Sequence, residues 1–584
     1  MSCSIFDLAD PFSPLTLDRV NYGHPLTSTC PIFHLPIELL SSITQHLDHG
    51  DLASLALVDR DCHQLARSIQ FSTLKVDYYR PTTYCLLEKL KMEREMGTPT
   101  IGACVRCLIV TDMSNQGHQE SIRDLAHQPW DLHHQSRKNT YISAVCAVIA
   151  GALPNLLALD WNVSVTLSSR FLQSIAVSPI KHLKLCGVSL AQTYLWEEAP
   201  PIGELQEPLA EWALETLDVT VVGKFLDCDS TLLDIVCYAS PTLRVLALRS
   251  NIVSWKMSRT FGEKISSFPS LRALLLDSVG VDGDALAMLM GRSAQLRAIF
   301  IDSTREGISY NLRRMGYVDT LERFHWIRNH VNNHIEILGF IDANPHLRSF
   351  ETGSALPASF ICDRLLPRLK NFQDLTSLSL IWEGKCIPRD ALRLLGFMVA
   401  LRHVWLSAGD QIAHNHRWEI DHTVIRESLA PLRQLKSLAF SQDTYRMWWT
   451  RESSERYYTT KEVPLQGYFA YLNIEEIDEV EMLNDVVNDC GQDADYEGAE
   501  SFLRRIRDFE DLAWERYHQW CMVELGTWYA ECFPELEWCY MGQLSMVIRS
   551  SREADLEITE RDRSLKVLKN KWGARTSTTR RQCW

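Results

Sequence analysis

The sequence predicts an α/β chain: a short N-terminal module of three helices, followed by a solenoid of strand–helix units with a parallel sheet and outer helices. Three observations predict it. Apolar residues recur at helical spacing between Phe33 and Phe71. A short apolar pattern, Leu-x-x-Leu-x-Leu with substitutions, keeps returning from Val105 to Leu435. Segments with helical spacing, such as Ala285–Arg292 and Ala391–Met398, fall between those returns.

Residues 1–31 hold several Pro, Ser and Thr without apolar periodicity and read as a flexible lead-in. The module occupies 32–72. Pro36 suits the first position of a helix, where a missing N–H costs nothing. Leu35, Leu39, Ile43 and Leu47 then recur every four residues as one stripe, which Leu40 widens. Gly50 stands where a helix stop is expected, and Asp51 where an N-cap for a second helix with Leu52 and Leu55 is expected. Asp59 is placed to cap a third helix with Cys62, Leu65, Ala66 and Ile69 on one side. A unit of about forty residues is near the lower size limit for independent folding. It carries more leucine than it can bury, so part of that surface is expected to face a partner.

The run Leu-Pro-x-Glu-Leu-Leu-x-x-Ile-x-x-His-Leu from Leu35, followed by Asp-Leu-x-x-Leu-Ala-Leu-Val-Asp-Arg-x-Cys from Asp51, resembles the F-box motif. The match covers roughly residues 33–71 and departs from many F-boxes in having no Trp in the third helix. The resemblance implies binding to the Skp-type adaptor of a cullin-based ubiquitin ligase. It assigns the adaptor contact to Leu35, Pro36, Leu39, Leu40, Ile43 and Leu47. Leu52, Leu55, Val58 and Leu65 complete that contact or hold the helices together.

The repeat body is expected over 73–460. Its strand patterns begin at Val105, Leu156, Ile180, Leu214, Leu243, Leu271, Leu296, Leu321, Leu347, Leu375, Leu401 and Leu435; from Leu156 onward they lie 24–34 residues apart. Most of these spacings resemble the ~20–29-residue period of leucine-rich repeats. A turn often precedes the strand, as in Ser240-Pro241-Thr242 and Phe268-Pro269-Ser270. Such units cannot bury an apolar face alone, so neighbours stack. Solenoid faces serve binding, and Arg244, Arg272 and Arg297, each following the first apolar position, are candidates for holding a protein target.

Beyond the repeats, residues 461–500 read as an acidic loop. Eleven Asp or Glu and no Lys or Arg stand between Glu475 and Glu500, and they account for most of the net charge of -15. Residues 501–548 read as a C-terminal helix, with an amphipathic pattern from Ala499 to Ala530, and a last strand unit around Phe533–Met541. Residues 549–584 form a charged tail. The order resembles the end of fungal F-box proteins with degenerate repeats.

The acidic balance argues against a nucleic-acid or anionic-membrane binder, since both need a positive field. Seventeen Cys, an odd number without regular spacing, suit a reducing compartment, cytoplasm or nucleus, better than a disulfide framework. Met1–Leu15 carries Asp7 and Asp10 and no basic region, unlike a signal peptide. Tyr141–Trp161 is strongly apolar but is interrupted by Pro154-Asn155, which predicts a buried helix and strand instead of a membrane span. Asn162-Val163-Ser164 matches a glycosylation sequon, expected to be unused. Cys104 and Cys107 have C-x-x-C spacing inside a strand-like run, without a second pair at zinc-site distance, and His133-His134 is expected in a polar loop. No phosphate loop, dinucleotide fingerprint or nucleophile elbow occurs. The expectation is no catalytic residue, no cofactor and no metal. The leading expectation is the substrate-recognition subunit of a Skp–cullin–F-box ligase. An F-box–adaptor scaffold outside any ligase is the alternative, and an enzyme with a dispersed site is a third reading.

Overall fold

The computed structural model describes most of the chain between Pro31 and Ile558. Residues 1–30, 112–131, 191–211, 222–227, 251–255, 304–307, 329–333, 409–417, 445–467, 490–495, 549–556 and 559–584, with a few shorter stretches, lie outside the described residues. The expected lead-in and nearly all of the expected tail fall there, as does Ser164 of the sequon. The chain divides near Thr320/Leu321 into two compact units, each described by itself.

The first unit opens with the helical module. Leu39–Leu40 and Ile43–Thr44 are helical, followed by α1 (His49–Leu55) and α2 (Arg60–Gln70). The expected Gly50 stop and Asp51 cap are corrected. Asp48 caps α1, its carboxylate accepting from the Asp51 N–H at 2.8 Å, so Gly50 and Asp51 lie in the first turn. The short Asp side chain satisfies an orphan donor there, which outweighs glycine's preference for helix ends. Asp59 caps α2 through the Cys62 N–H at 2.7 Å, as its spacing predicts.

Among the described residues eight strands longer than two residues follow, with helices between most of them: β1 (Thr73–Asp77), α3 (Pro81–Glu95), β2 (Cys107–Thr111), α4 (Leu132–Gly151), β3 (Ala158–Asn162), α5 (Ser169–Ala176), β4 (His182–Leu190), β5 (Thr216–Val221), α6 (Cys228–Ala239), β6 (Val245–Ser250), β7 (Ala273–Asp277), α7 (Gly283–Gly291), β8 (Ala298–Ser303) and α8 (Ile308–Met315). Each strand pairs in parallel with the next in sequence order. The two units beginning at Leu243 and Leu271 are adjacent and parallel, with Leu246 opposite Leu274 and Leu248 opposite Leu276. All four are at or near zero exposure and form part of a core shared between repeats.

The second unit repeats the scheme with β9 (Arg323–Arg328), α9 (His334–Ala343), β10 (Ser349–Thr352), α10 (helical from Ala358 to Leu369), β11 (Ser377–Trp382), α11 (Arg389–Gly396), β12 (His403–Ala408), α12 (His422–Leu429) and β13 (Ser437–Ser441). Then come α13 (Ile474–Asp489), α14 (Tyr496–Cys532), β14 (Trp538–Met541) and β15 (Leu544–Val547). Strands β9 to β14 are parallel in sequence order, and β15 returns antiparallel on β14.

Every expected strand forms, and each starts two residues after its first apolar position: β6 at 245 after Leu243, β12 at 403 after Leu401. That first apolar residue ends the turn and is itself buried, as Leu243, Leu271, Leu347 and Leu401 are. Elsewhere the structure corrects the sequence reading. Cys104 closes a 3₁₀ turn and only Cys107 is in a strand. His133 and His134 begin α4 instead of lying in a loop. With residues 496–500 opening α14, the described part of the acidic segment is mainly helix α13. Its apolar Ile477, Val480 and Leu483 recur every three residues and pack on Phe502, Ile506, Phe509 and Ala513 of α14. Burial of that stripe outweighs the repulsion among solvent-facing carboxylates. Residues 490–495 of the segment lie outside the described residues.

Candidate docking surfaces

The helical module sorts its leucines into two sets. Leu40 and Leu65 are 3 and 4% exposed and form its interior with Ile32, Phe33, Leu55 and Ile69; Leu52 is buried as well. The Thr44 hydroxyl donates to the Leu40 carbonyl at 2.7 Å, so this buried hydroxyl is satisfied within the helix. Leu39 and Ile43 of the same helix are 51 and 43% exposed, and Leu35, in the bend ahead of it, is 37% exposed with Pro36 exposed beside it. Val58 is 65% exposed, and Leu57 reaches 87%. Of the ten residues that the resemblance marks, Leu35, Pro36, Leu39, Ile43 and Val58 face outward. Leu40, Leu52 and Leu65 are spent on the module's own core, and Leu47 and Leu55 are half-buried. Leu57 is the residue that sequence reasoning missed. It has no periodic partner, and its exposure arises only where the chain turns from α1 into α2.

Arg244, Arg272 and Arg297 are all exposed, at the entrances of three consecutive strands. They stand one residue before β6, β7 and β8, on the rim where the strands begin. There the Arg272 N–H donates to the Arg244 carbonyl at 2.7 Å and the Arg297 N–H to the Arg272 carbonyl at 2.8 Å. Arg244 pairs with Glu215 at 3.0 Å, and Lys181 reaches the same carboxylate at 2.8 Å. Partial burial of Glu215 opposes ionisation, but the hydrogen bond and charge of Lys181 and the charge of Arg244 hold its carboxyl below the usual range.

The sheet face of the first unit carries a different row. Asp160, Lys184 and Asp218 are direct partners across β3, β4 and β5. Lys184 donates to Asp160 at 2.9 Å, and Arg249 of β6 pairs with Asp218 and stands 3.9 Å from Asp277 of β7. Beyond β7, Ser278, at φ 58°, bonds Asp277 and Asp302, each at 3.1 Å. Asp218 is fully buried; desolvation pushes its carboxyl up, and the Arg249 charge opposes that. These ions are largely neutralised within the sheet, the pattern of a network that fixes strand register. No single strand reveals the row; it exists only through register.

Groups with chemical potential are held inactive or out of order. Burial pushes the Cys104 and Cys107 thiols up to about 11, so neither is a thiolate near neutrality. His325 Nδ1 lies 2.9 Å from the Glu351 carboxylate, and Glu351 is the strand partner of Ser379. The carboxylate, not the imidazole, sits in the middle of that row, the reverse of what hydroxyl activation requires. Among the described residues no three metal-binding side chains gather, and no helix is long and apolar enough to cross a membrane.

Compared with protein-family models and with curated proteins, the chain matches none.

Proposed function

We propose that this chain is the substrate-recognition subunit of a Skp–cullin–F-box ubiquitin ligase. In this reading residues 32–72 are an F-box. Leu35, Pro36, Leu39, Ile43 and Val58, joined by Leu57, insert into the adaptor, while Leu40, Leu52 and Leu65 hold the helices that present them. The two strand–helix bodies are degenerate leucine-rich-repeat-like arrays that hold a protein target. The observation that carries the reading is the apolar stripe left outside a module whose interior is already filled. Full burial of a Leu or Ile contributes about 1.5–3 kcal/mol, and with Leu35, Leu39 and Ile43 still 37–51% exposed about half of that remains at each, a drive toward a partner. The chain itself would perform no covalent step. It would supply proximity, raising the concentration of the target at a charged ubiquitin carrier.

The test is affinity purification of the tagged chain from cells with and without proteasome inhibition. Recovery of the adaptor together with a cullin, and accumulation of a captured protein under inhibition, support the ligase reading. Recovery of the adaptor without a cullin assigns the chain to scaffolding outside a ligase. Recovery of neither overturns both.

A further inference from the structure

The turns that lead into each strand are structurally equivalent, so they can be compared within one chain. The position two residues before the first apolar residue holds Ser178, Pro154, Pro241, Pro269, Ala294, Asp319, Pro345, Gln373, Arg433 or Pro534 in most turns, residues suited to a wet turn, and a buried Ala103 or Trp212 in two others. Before β12 it holds Val399, 59% exposed. The position four before holds Ala152, Ala239, Ser267, Arg292, Ala343, Asn371, Pro431 or Cys532 in other repeats; before β9 it holds Tyr317 and before β12 Phe397, each 63% exposed. Met398, between Phe397 and Val399, is buried and meets the packing demand of the turn. The turn with Tyr317 carries Asp319 at the second position, so among the described turns only the one before β12 exposes a large apolar residue at both.

The charges around them are also ordered. In the second unit, the residue at the start of each strand runs Glu322, Arg348, Thr376, Arg402, Lys436, Glu537, linked by consecutive backbone bonds of 2.7–2.9 Å. Acids bound the row and bases fill its middle. Arg348 and Arg402 are exposed and stand two strands apart, roughly 10 Å at normal strand spacing. Lys370 lies over the Phe397 ring at 4.8 Å, adding a third cation at the apolar pair. Asp374, in the turn before β11, is the exposed acid in this stretch. A cationic apolar patch on a chain of net charge -15 is complementary to an acidic segment and repels basic ones.

We propose that this rim binds an acidic linear peptide carrying one apolar side chain. The apolar residue packs against Phe397 and Val399, and carboxylates about three residues apart along an extended strand, roughly 10 Å, reach Arg348 and Arg402. This deepens the proposed function by naming the chemistry of the target. It rests on the reading that the repeat body holds a protein, and it does not depend on adaptor binding.

The experiment is fluorescence polarisation of the full-length chain with two labelled twelve-residue peptides: one built of Asp, Glu and Leu, the other with Lys in place of every acid. The acidic peptide is expected to bind more weakly as salt rises. Affinity should fall roughly tenfold or more in Arg348→Glu/Arg402→Glu, and comparably in Phe397→Ser/Val399→Ser. Lys89→Glu, an exposed charge change on α3, should leave it unchanged. Equal binding of the Lys peptide, or wild-type affinity in either double variant, overturns the proposal. All three variants have substitutions at exposed positions, so unchanged thermal unfolding checks that they fold, and adaptor recovery by the same variants tests the F-box reading separately.

Discussion

The Nδ1 of His422 lies 3.0 Å from the phenol oxygen of Tyr529, more than a hundred residues away, and this bond fastens the long helix α14 to the repeat body. Both rings meet Phe440 of β13, at 5.8 and 5.7 Å. Tyr529 is 1% exposed and His422 half-buried beside it, and this desolvation lowers His422 from its ordinary 6.5 to about 4.

A pH dependence follows from that pair. The folded state holds His422 neutral, while the unfolded chain protonates it near 6.5. The stability contribution is therefore complete above pH 6.5 and is lost as pH falls from 6.5 toward 4, at up to about 1.4 kcal/mol per unit. Urea midpoints of the second unit's transition should drop between pH 7 and pH 5. His422→Gln should be less stable at pH 7 and lack that part of the slope. An unchanged slope in the variant would mean that other groups carry the acid sensitivity.

Two glycines should respond oppositely to alanine. A Cβ on Gly396, at the end of α11, would stand 2.1 Å from the Ser428 carbonyl oxygen of α12, so backbone must move. Gly396→Ala should cost about 1–3 kcal/mol despite alanine's better helix propensity. Around Gly291, at the end of α7, nothing lies within 4 Å. Gly291→Ala should be neutral or stabilising by up to about 1 kcal/mol. Chemical denaturation of the two variants decides this, and the same sign for both would show that the α11–α12 approach is looser than described.

The helical pair α13–α14 stands or falls on its apolar seam. Arg516 forms two bonds to Glu476, at 2.6 and 2.9 Å, but at the edge of the helix pair solvent screens the two charges. Val480, 1% exposed, should matter more. Val480→Asp buries an unpaired charge and should release α13, seen as new proteolytic cleavage between residues 471 and 489. Glu476→Gln should leave cleavage nearly unchanged. Protection of Val480→Asp equal to wild type would rule the seam out as the source of order.

What was legible in the sequence follows from periodicity. Leu243, Leu271 and their equivalents mark every strand with a constant offset, because a buried residue must close each turn before pairing begins. The stripe Leu35–Leu39–Ile43 was legible for the same reason. The helix at Ile474–Asp489 was masked by its eleven-acid neighbourhood, since charge dominates composition while only Ile477, Val480 and Leu483 decide packing. The Asp160–Lys184–Asp218 row and the Arg348–Arg402 rim could not be read at all. Each residue looks like an ordinary polar strand position, and only the pairing of separate repeats makes a row of them. The inner or outer place of Val58 and Leu65 likewise needed the crossing of helices, which no single stripe specifies.

The most direct measurement is binding of the purified full-length chain to a purified Skp-type adaptor by titration calorimetry. The wild type should form a one-to-one complex. Leu35→Ala/Leu39→Ala/Ile43→Ala, which removes only exposed side chains, should unfold at the wild-type temperature yet bind roughly thirtyfold more weakly or not measurably. Absence of a complex with the wild type, or undiminished affinity in the triple variant, would contradict the assignment of that stripe as the adaptor-binding surface.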